Sequence, residues 1–82
     1  MTQYTIKTNE SEADRINKGD QSCVLRKGNY FKGDKITFLL IKNNRPIYHD
    51  VCSKTFEVTM VLDSYEAPID KGIKLVAFRR VA

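Results

Sequence analysis

Five segments of the chain carry the alternating or continuous apolar pattern of β-strands. The most apolar is residues 35–42, whose central run is apolar on both faces and therefore predicts an interior strand. Residues 55–62 alternate between polar and apolar side chains, and the apolar face consists of Phe56, Val58, Met60 and Leu62. The five predicted strands are residues 4–7, 22–27, 35–42, 55–62 and 72–80.

A short helix is predicted between the first two strands. Asn9 and Glu12 have the spacing of a capping box, and Gly19 suits the position just beyond a helix end. Ala13 and Ile16 are the only apolar side chains of this segment. Because a helix of about two turns is marginal by itself, we expect it to depend on packing against the rest of the domain.

The 82 residues predict a single domain, residues 1–82, because a chain of this length cannot form two cores. Short strands separated by glycine, asparagine and proline turns predict a mainly β, α+β fold in which five strands close into a small barrel. Closure would remove exposed sheet edges. The short helix would then cap one end of this barrel, and residues 63–71 would form a loop.

The two cysteines are interpreted as reduced thiols in the core. Cys23 is placed on the same strand face as Leu25, and Cys52 lies beside apolar residues. The spacing is not that of a small disulfide-stapled secreted domain, and no apolar run approaches the ~20 residues of a membrane span. With no signal-like start either, we expect a cytoplasmic monomer that does not associate with membranes.

The positive charge of the chain is local. The net charge is −1 over residues 1–20, +5 over residues 21–45 and 0 over residues 46–82. A local excess is more typical of a binding face than of a general solubility device. A solvated domain can nevertheless carry a net charge of +4 without binding anything.

Within this basic segment, cations alternate with aromatic rings: Arg26 and Lys27 are followed by Tyr30, Phe31 and Lys32. Cations can hold phosphates and rings can stack on bases, so the pattern favours a site for single-stranded nucleic acid. The alternative is that a ring plugs the barrel end and the cations are only solvated. Of the two rings, Phe31 is the one expected in the core, because a tyrosine hydroxyl tolerates water better.

Other kinds of site have weaker support. Gly33 and Asp34 precede an apolar strand, but without the lysine and helix of a phosphate loop they predict a turn. His49 and Cys52 could form half of a metal site or a catalytic pair, yet a four-ligand zinc site would also need carboxylates. We therefore predict no metal and no cofactor.

Two motifs give the chain a resemblance to a known family. Residues 16–27 read INKGDQSCVLRK, and residues 30–36 read YFKGDKI. This arrangement resembles the ASCH group of the PUA-like superfamily, most closely its small branch of bacterial and phage proteins of unassigned function. The resemblance covers most of the chain and implies a PUA-like barrel with an RNA- or nucleotide-binding cleft beside the helix.

The chain departs from the catalytic members of that family. In the amidohydrolases that it resembles, a lysine and a threonine of the motif, with a later glutamate, remove an acyl group from a modified cytidine. Here the lysine position is Gln21 and the threonine position is Val24. Glutamine is not a base near neutral pH and valine has no nucleophile, so the comparison argues against this amidohydrolase activity and leaves Arg26 for binding. Hydrolysis of an acylated cytidine by the purified protein would restore the enzyme hypothesis.

Two hypotheses follow. The first is a non-catalytic module that binds RNA or a nucleotide between the helix and the barrel. Its predicted contacts are phosphate contacts from Lys18, Arg26, Lys27 and Lys32, polar contacts from Gln21 and Ser22, and stacking by Tyr30. The second is a module that docks on a host protein through a strand edge or the loop 63–71.

Overall fold

The structure is a computed structural model that describes residues 2–82. It contains six strands, one α-helix and one 3₁₀ helix. In chain order they are β1 (Gln3–Thr8), α1 (Glu10–Lys18), β2 (Cys23–Lys27), β3 (Lys35–Lys42), β4 (Arg45–Ile47), the 3₁₀ helix (Asp50–Ser53), β5 (Phe56–Leu62) and β6 (Ile73–Arg80). The prediction of a mainly β fold with one short helix is confirmed.

The strands form one mixed sheet in the order β1-β3-β5-β6-β2, with β4 paired to β3. Only β1 and β3 run parallel. Over residues 2–82 no backbone ladder joins β1 to β2, so the predicted closed barrel is wrong. Side chains span the open side instead: Tyr4 Oη donates to the Asn29 carbonyl at 2.8 Å, and Arg26 Nη2 donates to the Lys7 carbonyl at 3.0 Å.

Local signals at both ends determine the extent of α1. Asn9 Oδ1 accepts the Glu12 N–H at 2.8 Å, and Gly19 ends the helix in the left-handed region at φ 84°. Ala13 and Ile16 are buried. The predicted capping box is only half formed, because the Glu12 carboxylate is hydrogen-bonded to Thr8 and Arg26 rather than to the backbone of Asn9.

The core lies between the inner face of the sheet and α1 with the 3₁₀ helix. Phe38, Phe56 and Phe78 meet at its centre with ring centroids 5.2–5.3 Å apart. Tilted and edge-on ring pairs of this kind add about 0.5–1.5 kcal/mol each beyond their burial. The helix is therefore held by the core that the sheet provides.

The prediction that Cys23 of β2 lies in the core is wrong. Val24 is buried opposite Val76, whereas Cys23 and Leu25 are exposed on the outer face. Both faces of this strand carry an apolar side chain, so alternation alone did not determine which face is buried. Both cysteines are free, as expected, but only Cys52 packs against the core.

Two irregularities were not predicted. A β-bulge between Val58 and Met60 shifts the register of β5 against β6, so that Met60 is 45% exposed and Val61 packs on the core in its place. Asn43 and Asn44 both have positive φ, the backbone geometry of a type I′ turn, and they start the extra strand β4.

Within the described residues, no helix has both the length and the apolar character that crossing a bilayer requires.

Candidate nucleic-acid interface

A groove lies where the C-terminal end of α1 meets the ends of β5 and β6; we call it the helix-end groove. It has a volume of about 230 Å³. Its polar and charged lining consists of Asn17, Lys18, Gln21, Ser22, Lys54, Arg79 and Arg80, over the apolar side chains Ile16, Phe56 and Phe78. Among the described residues that line it, four are cations and none is a carboxylate.

The turn after α1 brings three of the predicted residues into this groove. The Asp20 and Gln21 N–H groups both donate to the Arg15 carbonyl, at 2.9 and 3.2 Å, which folds the chain back beside the helix end. Ser22 then joins the sheet, where its carbonyl accepts the Phe78 N–H at 2.9 Å. Lys18, Gln21 and Ser22 are thereby brought together, as their sequence position suggested.

Lys54 enters the same groove from the 3₁₀ helix. His49 Nδ1 accepts the Val51 N–H at 3.1 Å and so caps this helix, while its Nε2 lies 2.8 Å from Asp14 Oδ1 on α1. Lys54 itself donates to Asn17 Oδ1. Because both ends of this segment are tied to α1, Lys54 occupies a defined position rather than extending freely into solvent.

A second groove, which we call the loop groove, lies between the 28–34 loop and the bulge of β5. Its volume is about 380 Å³, and Lys32, Glu57, Thr59 and Arg79 form its polar lining. Asp34 fixes the loop: its carboxylate accepts the Phe31 N–H at 2.9 Å, and its backbone pairs with Val58. Lys32 therefore projects from a fixed loop.

Glu57 is the one carboxylate lining the loop groove in the described part of the chain. Its two oxygens lie 3.3 Å from Lys35 Nζ and 3.2 Å from Arg79 Nη2. The hydrogen bond from Arg79, followed by that from Lys35, lowers the pKa of Glu57 below its ordinary value. The carboxylate is therefore charged at neutral pH and partly neutralises two of the cations.

Arg26 is occupied by contacts within the protein. Its guanidinium donates to Glu12 Oε1 at 2.6 Å, to the Lys7 carbonyl at 3.0 Å and to the Leu25 carbonyl at 2.8 Å. We call this set of contacts the Arg26 bridge. It joins β2 to β1 and α1 across the open side of the sheet, and it lines neither the helix-end groove nor the loop groove.

Glu12 is the anionic partner of this bridge. Burial alone would raise the pKa of Glu12, but hydrogen bonds from Thr8, Arg26 and Gln21 and the charge of Arg26 outweigh it and lower the pKa. Gln21 is also engaged, since it accepts from Arg15 Nε at 2.9 Å and donates to the Cys23 carbonyl at 2.8 Å. Its amide therefore links α1 to the start of β2.

The predicted stacking ring is partly covered. The Tyr30 ring packs against Tyr4, with centroids 4.8 Å apart and planes tilted by 58°, and it contacts the core cluster. Burial raises the pKa of Tyr30, against the opposing charge of Arg26. Phe31, expected in the core, is 67% exposed, because Asp34 holds the loop with Tyr30 facing inward.

Part of this surface was predictable from the sequence. Lys18, Gln21 and Ser22 line the helix-end groove and Lys32 the loop groove, whereas Arg26, Lys27 and Tyr30 line neither. Lys54, Arg79 and Arg80 were not among the predicted contacts. Their approach to α1 depends on strand pairing, and the sole local signal was two adjacent arginines.

His49 does not form half of a metal site with Cys52. Its two ring nitrogens are engaged by Val51 and Asp14. Across residues 2–82 the structure contains no group of three or more histidine, cysteine, aspartate or glutamate side chains arranged to hold a metal ion.

No protein-family model matches the sequence, and no curated protein matches it either. The resemblance to the ASCH group is therefore carried by the residues of the motif and stays a prediction.

Proposed function

We propose that this chain is a non-catalytic module that binds RNA or a nucleotide in the helix-end groove. The observation that carries the proposal is the lining: Lys18, Lys54, Arg79 and Arg80 converge from three parts of the chain, with no carboxylate among the described lining residues. Cations contributed by separate elements to one concave surface suit the phosphates of a nucleic acid.

The size of the groove indicates how much of a ligand it can hold. Its volume of about 230 Å³ is below the ~300–1,000 Å³ of sites that enclose a drug-sized molecule. It suits one sugar-phosphate unit of a chain that otherwise runs over the surface. Lys18, Lys54 and Arg80 would contact phosphate oxygens, and the Ser22 hydroxyl and the Asn17 amide would contact the ribose or base.

Two positions support binding without catalysis. Val24, at the threonine position of the motif that the chain resembles, is buried in the core opposite Val76. Gln21, at the lysine position, directs its amide to Glu12, Arg15 and the Cys23 carbonyl. Neither side chain presents a nucleophile or a base to a ligand.

Fluorescence anisotropy with a labelled single-stranded RNA of mixed sequence tests this proposal. Lys54→Ala and Arg80→Ala should each weaken binding, and they should lower the slope of log K against log salt by about 0.7 per lost phosphate contact. Lys71→Ala is the matched control, because it removes an exposed lysine of the 63–71 loop. Equal affinity of all three variants and the wild type would remove this groove from the binding surface.

A second candidate is a protein-interaction module, and one observation favours it. Tyr65 is 92% exposed in the 63–71 loop, where its N–H donates to Asp63 Oδ1 at 2.9 Å. An aromatic ring held out by an ordered loop is typical of an interface anchor. Comparing wild type with Tyr65→Ser in pull-downs from nuclease-treated bacterial lysate tests it: a partner retained only by the wild type supports docking, and identical captures oppose it.

A further inference from the structure

One side chain connects the two grooves. Arg79 lines both the helix-end groove and the loop groove, and its side chain is largely exposed between them. A basic surface therefore continues beyond the helix-end groove, across Arg79, to Lys32 at the far side of the loop groove. The chain of a single-stranded ligand could follow the same course.

The loop groove is built from fixed parts. The Gly33 N–H donates to the Val58 carbonyl, and the Val58 N–H donates to the Asp34 carbonyl, both at 2.8 Å. These bonds attach the 28–34 loop to β5 at the residue where the bulge begins. Lys32 and Thr59 therefore line a surface that is formed before any ligand arrives, which lowers the entropy cost of binding.

Glu57 is the feature of this surface that opposes an anionic ligand. One of its oxygens accepts a hydrogen bond from Arg79 and the other accepts one from Lys35. A phosphate that binds Arg79 must compete with this carboxylate. The contact is exposed enough on the Arg79 side for exchange to occur, because that side chain is 69% accessible.

We infer that the binding surface extends from the helix-end groove across Arg79 into the loop groove, where Lys32 and Arg79 form a second phosphate subsite and Glu57 limits the affinity by competing for Arg79. This inference rests on the proposed function. It adds the extent of the ligand and a residue that tunes its binding.

Length dependence separates the two subsites. A labelled dinucleotide fills only the helix-end groove, whereas an RNA of about eight nucleotides, within the ~4–16-nucleotide range of small single-strand-binding domains, reaches both. Lys32→Ala should lower the affinity for the longer RNA by about two- to fivefold, which is the effect of one partly screened ion pair. The affinity for the dinucleotide should not change. In this variant, the slope of log K against log salt for the longer RNA should fall by about 0.7.

Glu57→Gln should act in the opposite direction. It removes the competing charge but keeps a polar side chain of similar shape, so the longer RNA should bind about two- to fivefold more tightly. Glu66→Gln is the matched control, because it removes an exposed carboxylate from the 63–71 loop and should change nothing. Circular dichroism melting of each variant checks that the fold is retained.

The outcomes distinguish this inference from the proposed function. Tighter binding by Glu57→Gln together with weaker binding of the longer RNA by Lys32→Ala supports the second subsite. If the wild type binds both RNAs equally and neither variant differs from it, the second subsite is overturned while the helix-end groove stands. If the wild type binds neither RNA at low salt, both proposals are overturned.

Discussion

Replacing Arg26 by alanine tests whether this residue holds the fold together or binds a ligand. The side chain makes two hydrogen bonds across the open side of the sheet, to Glu12 and to the Lys7 carbonyl, and a third to the neighbouring Leu25 carbonyl. Its ion pair with Glu12 is 2.6 Å long, with side chains only 28% and 13% exposed. Truncation leaves the Glu12 carboxylate with only its neutral donors Thr8 and Gln21. It also leaves the Lys7 carbonyl without this donor.

The magnitude follows from these contacts. Breaking a fully buried ion pair costs about 3–5 kcal/mol, and a hydrogen bond to a charged group is worth about 1.5–3 kcal/mol. Since the Arg26 bridge is partly accessible to water, we expect the free energy of unfolding to fall by about 2–3 kcal/mol. For a domain of this size that corresponds to a Tm lower by about 10–20 °C.

The assay is urea denaturation followed by circular dichroism at pH 7, with Lys27→Ala as the matched control. Lys27 is the next residue on β2 and is exposed, so its removal should change the free energy of unfolding by less than about 0.5 kcal/mol. A double-mutant cycle with Glu12→Ala should yield a coupling energy above ~1 kcal/mol. A structural role for Arg26 is refuted if Arg26→Ala is as stable as Lys27→Ala.

Three further predictions follow from single contacts. Because the folded-state pKa of Glu12 is lowered, its contribution to stability is present above its unfolded pKa of about 4.3 and is lost as the pH falls through the folded value. The acid-induced loss of stability should therefore be smaller in Glu12→Gln than in the wild type. Identical profiles of unfolding free energy against pH, measured by denaturant titration, would contradict this. Gly28→Ala should destabilise by about 1–3 kcal/mol, because φ is 138° and the new Cβ would lie 2.9 Å from the Tyr30 ring; a thermal melt equal to that of the wild type would contradict it. Exposed Cys23 should react with a maleimide faster than half-buried Cys52, as followed by mass spectrometry, and equal rates would contradict the assignment of the β2 faces.

Features set by a few neighbouring residues were predictable from the sequence. The bounds of α1 depend on Asn9 and Gly19, whose effects act within one turn of the helix. The central strand β3 is apolar on both faces whatever it pairs with, and Lys18, Gln21 and Ser22 follow α1 closely enough to stay together. The helix bounds, the central strand and the residues that follow the helix each depend only on residues close in sequence.

Features that depend on pairing between distant segments were not predictable. The bulge beside Met60 appears only once β5 pairs with β6, and it reverses the inside and outside positions beyond it. The same holds for Lys54, which enters the groove through its contact with Asn17, 37 residues earlier in the chain. Arg26 was predicted to bind phosphate because two of its acceptors, Glu12 and the Lys7 carbonyl, lie 14 and 19 residues earlier in the chain.

An amide-resolved NMR titration with a short single-stranded RNA of mixed sequence, at low and at physiological salt, tests the central claim most directly. The proposed function predicts shifts that cluster at Lys18, Ser22, Lys54 and Arg80 and that weaken as salt rises. Shifts confined to the 63–71 loop, or none at low salt, would contradict binding in the helix-end groove.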